Sequence, residues 1–376
     1  MSRPPALELR LRRLRHRVAR TVRGIFGRRR TVYVDQRVDE YRAYWEEAAR
    51  ALGAEFVALS DVIWEVRRQG RRTRVSNYVT ECDDPVTLLV AGDKSLCLRL
   101  AADAGLPVPR HVVVSLADLA PAYRFLAEVG GPCVVKPAAD TSSGLGVTTG
   151  IWHRAQLRDA AALASLYDTR LLVEQMVVGE SCRLLYLGGR FLHAVRRRGV
   201  RVRGDGVSTI TQLLGAARVQ VERDRLATHT LAAQGLTLAS VPRAGVSVLV
   251  RGVPAVSDAS RELRTVFDES VTDLCAPELV EQISGVVRAI GSELAGVDIV
   301  TMDLSALLHP GGGAFLEVNT TPGIHHHSVN DAGGVNPVAV PVLAYLLGLP
   351  VSASDAAAVG TSSNRRKRTH ERHEEA

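Results

Sequence analysis

The sequence predicts an α/β protein of the mixed, α+β type, built from more than one domain. Its 376 residues are enough for two or three packed domains. Segments with strand periodicity alternate with amphipathic helical segments along most of the chain, which is typical of a mixed fold. The composition is 46% hydrophobic and 23% charged, an ordinary globular balance that excludes wholesale disorder. We expect no membrane span and no signal peptide, because neither a long apolar run nor a small-residue cleavage site is visible.

The basic charge of the chain is concentrated at its N-terminus. Residues 1–30 contain 11 Arg and one Glu, whereas the remainder contains 36 basic and 39 acidic side chains. The body is therefore not basic, and we expect no nucleic-acid binding. Residues 1–30 predict a basic amphipathic helix that docks on an anionic membrane surface or an acidic partner; the alternative is a solvated extension without a role. Its apolar positions follow steps of three and four: Leu7, Leu11, Leu14, Val18, Val22 and Ile25.

The segment 31–90 predicts a small α/β domain. The expected elements are strands at 31–35 and 55–59, a helix at 39–52, and a hairpin joining 63–66 to 73–78. The hairpin turn falls at Gln69 and Gly70, where glycine allows the required backbone conformation.

The segment 91–350 continues the alternation of the two patterns. We expect helices at 93–104, 155–166, 277–294 and 337–347, and a further helix that ends at about residue 129. We expect strands at 111–114, 133–137, 147–151, 170–174, 183–186, 190–195, 246–250, 297–302 and 314–319. Residues 351–376 are small, polar and charged, which predicts a disordered tail. The five cysteines are scattered and include no CxxC pair, which predicts reduced thiols and a cytoplasmic location.

Lysine is rare enough in this chain to be informative. Only three of the 47 basic residues are Lys, and two of them, Lys94 and Lys136, lie in the body. A compact ammonium group enters narrow phosphate sites that a forked guanidinium does not fit. Lys136 ends an apolar strand and is followed by a loop of small residues, Ser142, Ser143, Gly144, Leu145 and Gly146, whose N–H groups could approach phosphate oxygens. The loop matches neither the Walker A motif nor the dinucleotide fingerprint.

A second cluster of polar residues predicts a magnesium site. Glu317 and Asn319 are two residues apart on a strand and therefore face the same side. With an acid from the neighbouring strand they would form a hard oxygen site for Mg²⁺ and its phosphates. A tight turn at residue 310 would place Asp303 opposite Glu317, whereas a longer loop would place Asp298 there, and the spacing leaves both open.

Six motifs in order make the chain resemble the ATP-grasp superfamily of carboxylate–amine ligases. Within that superfamily it is most similar to the ligase portion of cyanophycin synthetases and to the glutathione-forming module of bifunctional glutathione synthetases. The motifs are Gly92-Asp93-Lys94 with 104–109, 134–137 with the glycine loop, Val173-Glu174, 204–210, 295–299 and 317–323. The resemblance implies a small domain at 31–90 and two lobes, at 91–173 and 174–350, with ATP between them.

The resemblance also implies roles for individual residues. Lys94 and Lys136 would contact ATP phosphates, and the loop with Ser142, Ser143, Gly144 and Gly146 would close over them. Adenine and ribose would be held by Glu174, Gln175, Met176, Val177 and Glu180, the last replacing the usual acid at Ser181. The metal ligands would be Asp298, favoured over Asp303, with Glu317 and Asn319. Arg183 and Arg196 or Arg197 would stabilise the γ-phosphate and an acyl phosphate, although the usual Arg-x-Pro approach to Gly204 is absent.

The implied activity is an ADP-forming ligation that needs ATP and Mg²⁺, with Mn²⁺ as an alternative metal. A carboxylate would be activated as an acyl phosphate and attacked by an amine, both supplied by amino acids or short peptides. The alternatives are phosphoryl transfer without amide formation, and a non-catalytic protein that binds a membrane or partner through its N-terminus. The oligomeric state stays open, a homo-oligomer included. His325, His326 and His327 predict either substrate contacts or a polar loop, and adjacent histidines on an extended chain do not suit a zinc site.

Overall fold

The computed structural model describes residues 11–15, 18, 31–139, 146–197, 200–216, 231, 234–251, 268–327 and 338–350. Residues 11–15 and 18 are helical, in agreement with the expected N-terminal helix at these positions. The predictions for the rest of 1–30, for residues 142–145 and for the tail 351–376 lie outside the described residues. Over the described ranges, no helix combines the length and the apolar character needed to cross a membrane.

The N-terminal unit consists of one long helix and a four-stranded antiparallel sheet in the order β1-β2-β3-β4. The elements are α1 (Thr31–Ala51), β1 (Glu55–Ala58), β2 (Trp64–Arg68), β3 (Arg71–Ser76) and β4 (Val79–Thr80). The predicted hairpin is confirmed, since β2 and β3 pair through a two-residue turn in which Gln69 and Gly70 both have positive φ.

The strand predicted at 31–35 is wrong, because these residues form the first turns of α1. Their β-branched side chains favour a strand locally, but local preference is weak beside tertiary packing. Helix α1 buries Tyr41, Trp45 and Ala48 at helical spacing. Extending a packed helix by further turns requires no new nucleus, so the chain continues the helix toward its N-terminus.

The core of this unit is shared with the rest of the protein. Trp45 and Trp64 are fully buried in a cluster that also contains Leu185, Leu294 and Ile324. The helix α8 (Ala339–Leu346) packs on α1 and closes this cluster. The N-terminal unit is therefore fixed against the large sheet that carries the candidate site.

A second sheet of four strands, in the order β5-β8-β6-β7, forms the middle of the chain. It is preceded by α2 (Pro85–Gly92) and α3 (Lys94–Asp103) and includes β5 (His111–Ser115), α4 (Ala120–Val129), β6 (Cys133–Pro137), β7 (Thr148–Ile151), α5 (Arg154–Ala164) and β8 (Arg170–Gln175). Helices α4 and α5 cover this sheet around Phe125, Leu157 and Leu171. Helix α3 instead buries Leu98 and Ala101 in the core of the next sheet.

The third sheet has five antiparallel strands in the order β13-β10-β9-β14-β15. Its elements are β9 (Glu180–Leu187), β10 (Arg190–Arg197), β13 (Asp268–Ser270), the 3₁₀ turn Thr272–Leu274, α7 (Pro277–Ile290), β14 (Leu294–Thr301), β15 (Gly313–Asn319) and the 3₁₀ turn Ile324–His327. A small side unit contains β11 (Val200–Arg203), α6 (Ile210–Ala216) and β12 (Ser247–Arg251). Helix α7 ends earlier than predicted, because Gly291 takes a left-handed conformation after Ile290.

Candidate active site

A row of charged side chains crosses three neighbouring strands of the five-stranded sheet. Asp298 on β14 is paired in register with Arg183 on β9 and with Glu317 on β15. We call Arg183, Asp298 and Glu317 the charged row. Asp303 lies beyond β14 in the connection to β15, where its carboxylate caps Ser305. The register thus corresponds to the longer of the two loops that the sequence left open.

Arg183 and Asp298 form a buried, bidentate ion pair. The Nε atom of Arg183 donates to one Asp298 oxygen at 2.7 Å and its Nη2 atom donates to the other at 2.6 Å. Both side chains are over nine-tenths buried. Gly296, two residues before Asp298, leaves the space that this arrangement needs, since a Cβ there would lie 2.8 Å from Pro322 and 3.5 Å from Arg183 Cδ. The pair holds the Asp298 carboxylate in one orientation.

Asn319 extends the charged row along the same face of β15. Its Nδ2 atom lies 3.3 Å from the Gly296 carbonyl oxygen and 3.4 Å from Asp298 Oδ2. The set therefore offers two carboxylates and one amide oxygen, which are ligands that suit Mg²⁺. Within the described ranges, no group of three or more His, Cys, Asp or Glu side chains is arranged to hold a metal ion. A cation bound between Asp298 and Glu317 would therefore need further oxygen ligands, such as the amide oxygen of Asn319.

The two body lysines lie close enough to interact, and Lys94 also interacts with Glu317 of the charged row. Lys94 is the first residue of α3, which packs against β15, and its backbone N–H donates to the Ala138 carbonyl just after the strand that carries Lys136. Both ammonium groups are buried. Burial lowers the pKa of Lys94, the carboxylate of Glu317 opposes that shift, and the charge of Lys136 adds to it. Lys94 therefore interacts electrostatically both with Lys136 and with Glu317 of the charged row.

Glu174 compensates the charge of Lys136. The Lys136 Nζ atom lies 2.9 Å from Glu174 Oε1, and both side chains are buried. The second carboxylate oxygen, Oε2, is buried without a hydrogen-bond partner among the described atoms. An acceptor left in this state favours a ligand that donates a hydrogen bond.

The segment after Glu174 has two backbone N–H groups that bond within the protein. The backbone N–H groups of Gln175 and Met176 donate to the carbonyl oxygens of Arg110 and Pro132, so the protein itself occupies these two donors. The Met176 side chain is exposed. Sequence reasoning could not foresee this, because the acceptors belong to residues distant along the chain.

Glu180 and Arg196 lie side by side and form an ion pair of 3.0 Å. The resemblance implied a ribose contact for Glu180 and a phosphate contact for Arg196, and the structure brings the two side chains together on β9 and β10. The side chain of Arg197 lies outside the described residues, as do Ser142, Ser143 and Gly144. Gly146 is described and requires glycine, because its φ is +74° and a Cβ would lie 2.8 Å from Tyr167.

The three consecutive histidines are buried, which argues against the polar-loop alternative. They form a 3₁₀ turn, and two of them are anchored on different elements. His325 Nδ1 lies 2.6 Å from the hydroxyl of Tyr41 on α1, and His327 Nδ1 lies 3.0 Å from His193 Nδ1 on β10.

His193 and Tyr41 were not singled out from the sequence, although the triple histidine was. Ser270 on β13 contacts the other ring nitrogen of His193 at 3.1 Å. Burial lowers the pKa of His193 to about 4, so the ring is neutral at pH 7. The 3₁₀ turn Ile324–His327, which follows Asn319, is therefore held by a contact of His325 with α1 and a contact of His327 with β10. The sequence signal available for His193 was a histidine at an inward-facing position of a strand. That signal does not indicate which residue the histidine contacts.

Known proteins with related sequence and structure define the class of this fold. A family model described as the C-terminus of D-Ala–D-Ala ligases matches residues 100–203. A solved bifunctional glutathione synthetase from Pasteurella multocida superimposes with a TM-score of 0.55 at 23% identity, covering 80% of this chain and 44% of that one. The chain belongs to the ATP-grasp superfamily, and the fold expected from the six motifs is confirmed.

Within the superfamily, the chain is similar to two groups of enzymes. It is 33% identical to a cyanophycin synthetase of Trichormus variabilis over 269 residues, which is 68% of this chain and 29% of that protein. It is 27% identical to a glutathione biosynthesis bifunctional protein of Mannheimia succiniciproducens over 286 residues, which is 71% of this chain and 37% of that protein. The chain thus spans well under half the length of these relatives.

Proposed function

We propose that this protein is an ADP-forming ligase that joins a carboxylate to an amine through an acyl-phosphate intermediate. We propose an amino acid or a short peptide as the substrate class, by analogy with the relatives. The observation that carries the proposal is the charged row on three paired strands, whose Glu317 interacts electrostatically with the buried Lys94 beside the buried Lys136. Attack of a carboxylate on ATP brings anions together, and such an array of cations screens their repulsion.

Lys94 and Lys136 are proposed to contact the ATP phosphates. Because both side chains are buried, an anion beside them would interact strongly with each ammonium group. The lowered pKa of Lys94 supports this role, since a phosphate would supply the negative charge that favours its protonated form. The serines and glycines of 142–146 are proposed to close over the phosphates and to exclude water from the intermediate.

The proposed metal ligands are Asp298, Glu317 and Asn319, for Mg²⁺ or Mn²⁺. Bound there, the metal ion would neutralise charge on the transferring phosphoryl group. Arg183 holds the Asp298 carboxylate in one orientation, because its Nε and Nη2 atoms donate to separate carboxylate oxygens. We propose that Arg183, with Arg196 or Arg197, stabilises the γ-phosphate and the acyl phosphate.

The nucleotide base is proposed to lie beside Glu174 and the segment Gln175–Val177, with Glu180 at the ribose. The free Oε2 atom of Glu174 supports this placement, because the adenine amino group is a donor. We propose that ATP binds between the lobes at 91–173 and 174–350, with 31–90 as an N-terminal domain that packs on the second of these lobes. A homo-oligomer, and contact of residues 1–30 with an anionic membrane or an acidic partner, are also proposals.

A substrate screen tests the ligase. The protein is supplied with ATP, Mg²⁺ and pairs of amino acids or dipeptides, and ADP release is measured. We expect release only when a carboxylate and an amine are both present. The variant Glu317→Gln should lose about a hundredfold in rate, whereas the matched control Asp303→Asn should keep it, because Asp303 lies outside the charged row.

A different product would contradict amide formation. Release of ADP with the carboxylate alone, together with a stable phosphorylated product, would indicate phosphoryl transfer instead. Equal loss in the Asp303→Asn and Glu317→Gln variants would contradict the proposed metal site.

A further inference from the structure

The N-terminal helical segment is docked on the protein through its arginines. Arg12 Nη1 lies 3.4 Å from Asp159 on α5, and Arg15 Nη2 lies 3.7 Å from the same carboxylate. Arg13 Nη2 donates to the carbonyl oxygen of Ser165 at 3.0 Å, at the C-terminal end of α5. A cation is favoured at that end by the unsatisfied carbonyl groups and the helix dipole.

The apolar side of the same segment faces solvent. Leu11, Leu14 and Val18 are 42%, 54% and 53% exposed, and they share one side of the helix because they are three and four residues apart. We call these three residues the apolar stripe. A helix on a globular protein normally buries its apolar face and exposes its charges. This orientation is the reverse, so the protein body does not account for the stripe.

The surrounding charge identifies the kind of surface that would cover the apolar stripe. Residues 1–30 contain 11 Arg and one Glu, and in the sequence the spacing of the stripe continues at Leu7, Val22 and Ile25. Arg15, which flanks the stripe, is 73% exposed in its side chain. Long arginine stems can lie along an apolar boundary while their guanidinium groups reach anionic head groups.

We propose that the apolar stripe inserts into the surface of an anionic lipid bilayer. The opposite side of the helix, which bears Arg12 and Arg13, would hold the lobe at 91–173 against that bilayer through α5. A lipid surface is favoured over an acidic protein because attraction to a protein of that kind would use the arginines and leave the leucines uncovered. The stripe would lie in the interface without spanning it. This inference deepens the anionic contact proposed for residues 1–30 and is independent of the ligase chemistry.

Vesicle co-sedimentation of the full chain tests the proposal. The vesicles are pure phosphatidylcholine or an equal mixture of phosphatidylcholine and phosphatidylglycerol. The test variant replaces the apolar stripe (Leu11→Ser, Leu14→Ser, Val18→Ser). The control replaces two equally exposed apolar residues of the N-terminal unit (Leu59→Ser, Val79→Ser), which are 47% and 46% exposed.

We expect binding to the anionic vesicles, loss of at least about tenfold in affinity for the stripe variant, and no change for the control. Equal binding by the stripe variant and the unaltered chain would overturn the proposal, since the contact would then be purely electrostatic. Failure of the unaltered chain to bind anionic vesicles would overturn it as well. ADP release measured on the same samples is expected to be unchanged in both variants, which separates this failure from failure of the ligase proposal.

Discussion

Removing one partner of the buried Arg183–Asp298 pair should strongly destabilise the protein. Replacing Arg183 by Met removes two short hydrogen bonds and leaves the Asp298 carboxylate buried without its cation. Loss of one partner from a buried ion pair costs about 3–5 kcal/mol, because the remaining charge keeps its desolvation penalty. The double variant Arg183→Met, Asp298→Leu removes both charges and should recover about half of that loss or more.

The assay is urea unfolding followed by tryptophan fluorescence. Trp45 and Trp64 are suitable reporters, because they share a core with Leu185 on the strand that carries Arg183. The matched control is the exposed pair of Arg288 and Glu281 on α7, where Arg288→Met should cost under about 1 kcal/mol. A cost below about 1 kcal/mol for Arg183→Met, or simple additivity in the double variant, would refute the reasoning.

Three further predictions concern pH and packing. Burial lowers the pKa of His193 to about 4, so below pH 6.5 the unfolded chain binds a proton that the folded protein does not. The free energy of unfolding should therefore fall by about 3 kcal/mol from pH 6.5 to 4. Urea unfolding of the His193→Gln variant over the same pH range should show a smaller fall. Burial raises the pKa of the Cys97 and Cys182 thiols to about 12, so the unfolded chain loses these protons at lower pH than the folded protein. The free energy of unfolding should therefore fall between pH 9 and 12. Urea unfolding of the double variant Cys97→Ala, Cys182→Ala should show a smaller fall. Gly296→Ala places a Cβ 2.8 Å from the proline ring after β15 and should lower ADP release about tenfold, while Gly285→Ala, with open space at its Cβ, should not; equal rates would contradict the close packing.

Features encoded by short-range signals could be predicted from the sequence. Glu317 and Asn319 had to share a face, because side chains two residues apart on a strand point the same way. The turn at Gln69 and Gly70 followed from the need for positive φ in a two-residue hairpin. The rarity of lysine singled out Lys94 and Lys136, and both side chains are buried.

Features that depend on distant partners could not be predicted. The first turns of α1 look like a strand locally, and only packing of the helix decides their conformation. The pairing of Glu180 with Arg196, and of His327 with His193, joins residues on different strands. Sequence spacing carries no information on such contacts, because they arise when the sheet order is established.

The register of β14 and β15 shows most clearly what each level decides. The strand pattern predicts that an acid from the β14 side faces Glu317, and it offers both Asp298 and Asp303. The tertiary structure selected Asp298, because the connection after β14 buries Leu304 and Leu308 in the core under α7. A tight turn would leave these two side chains in water, so the longer loop is favoured by their burial.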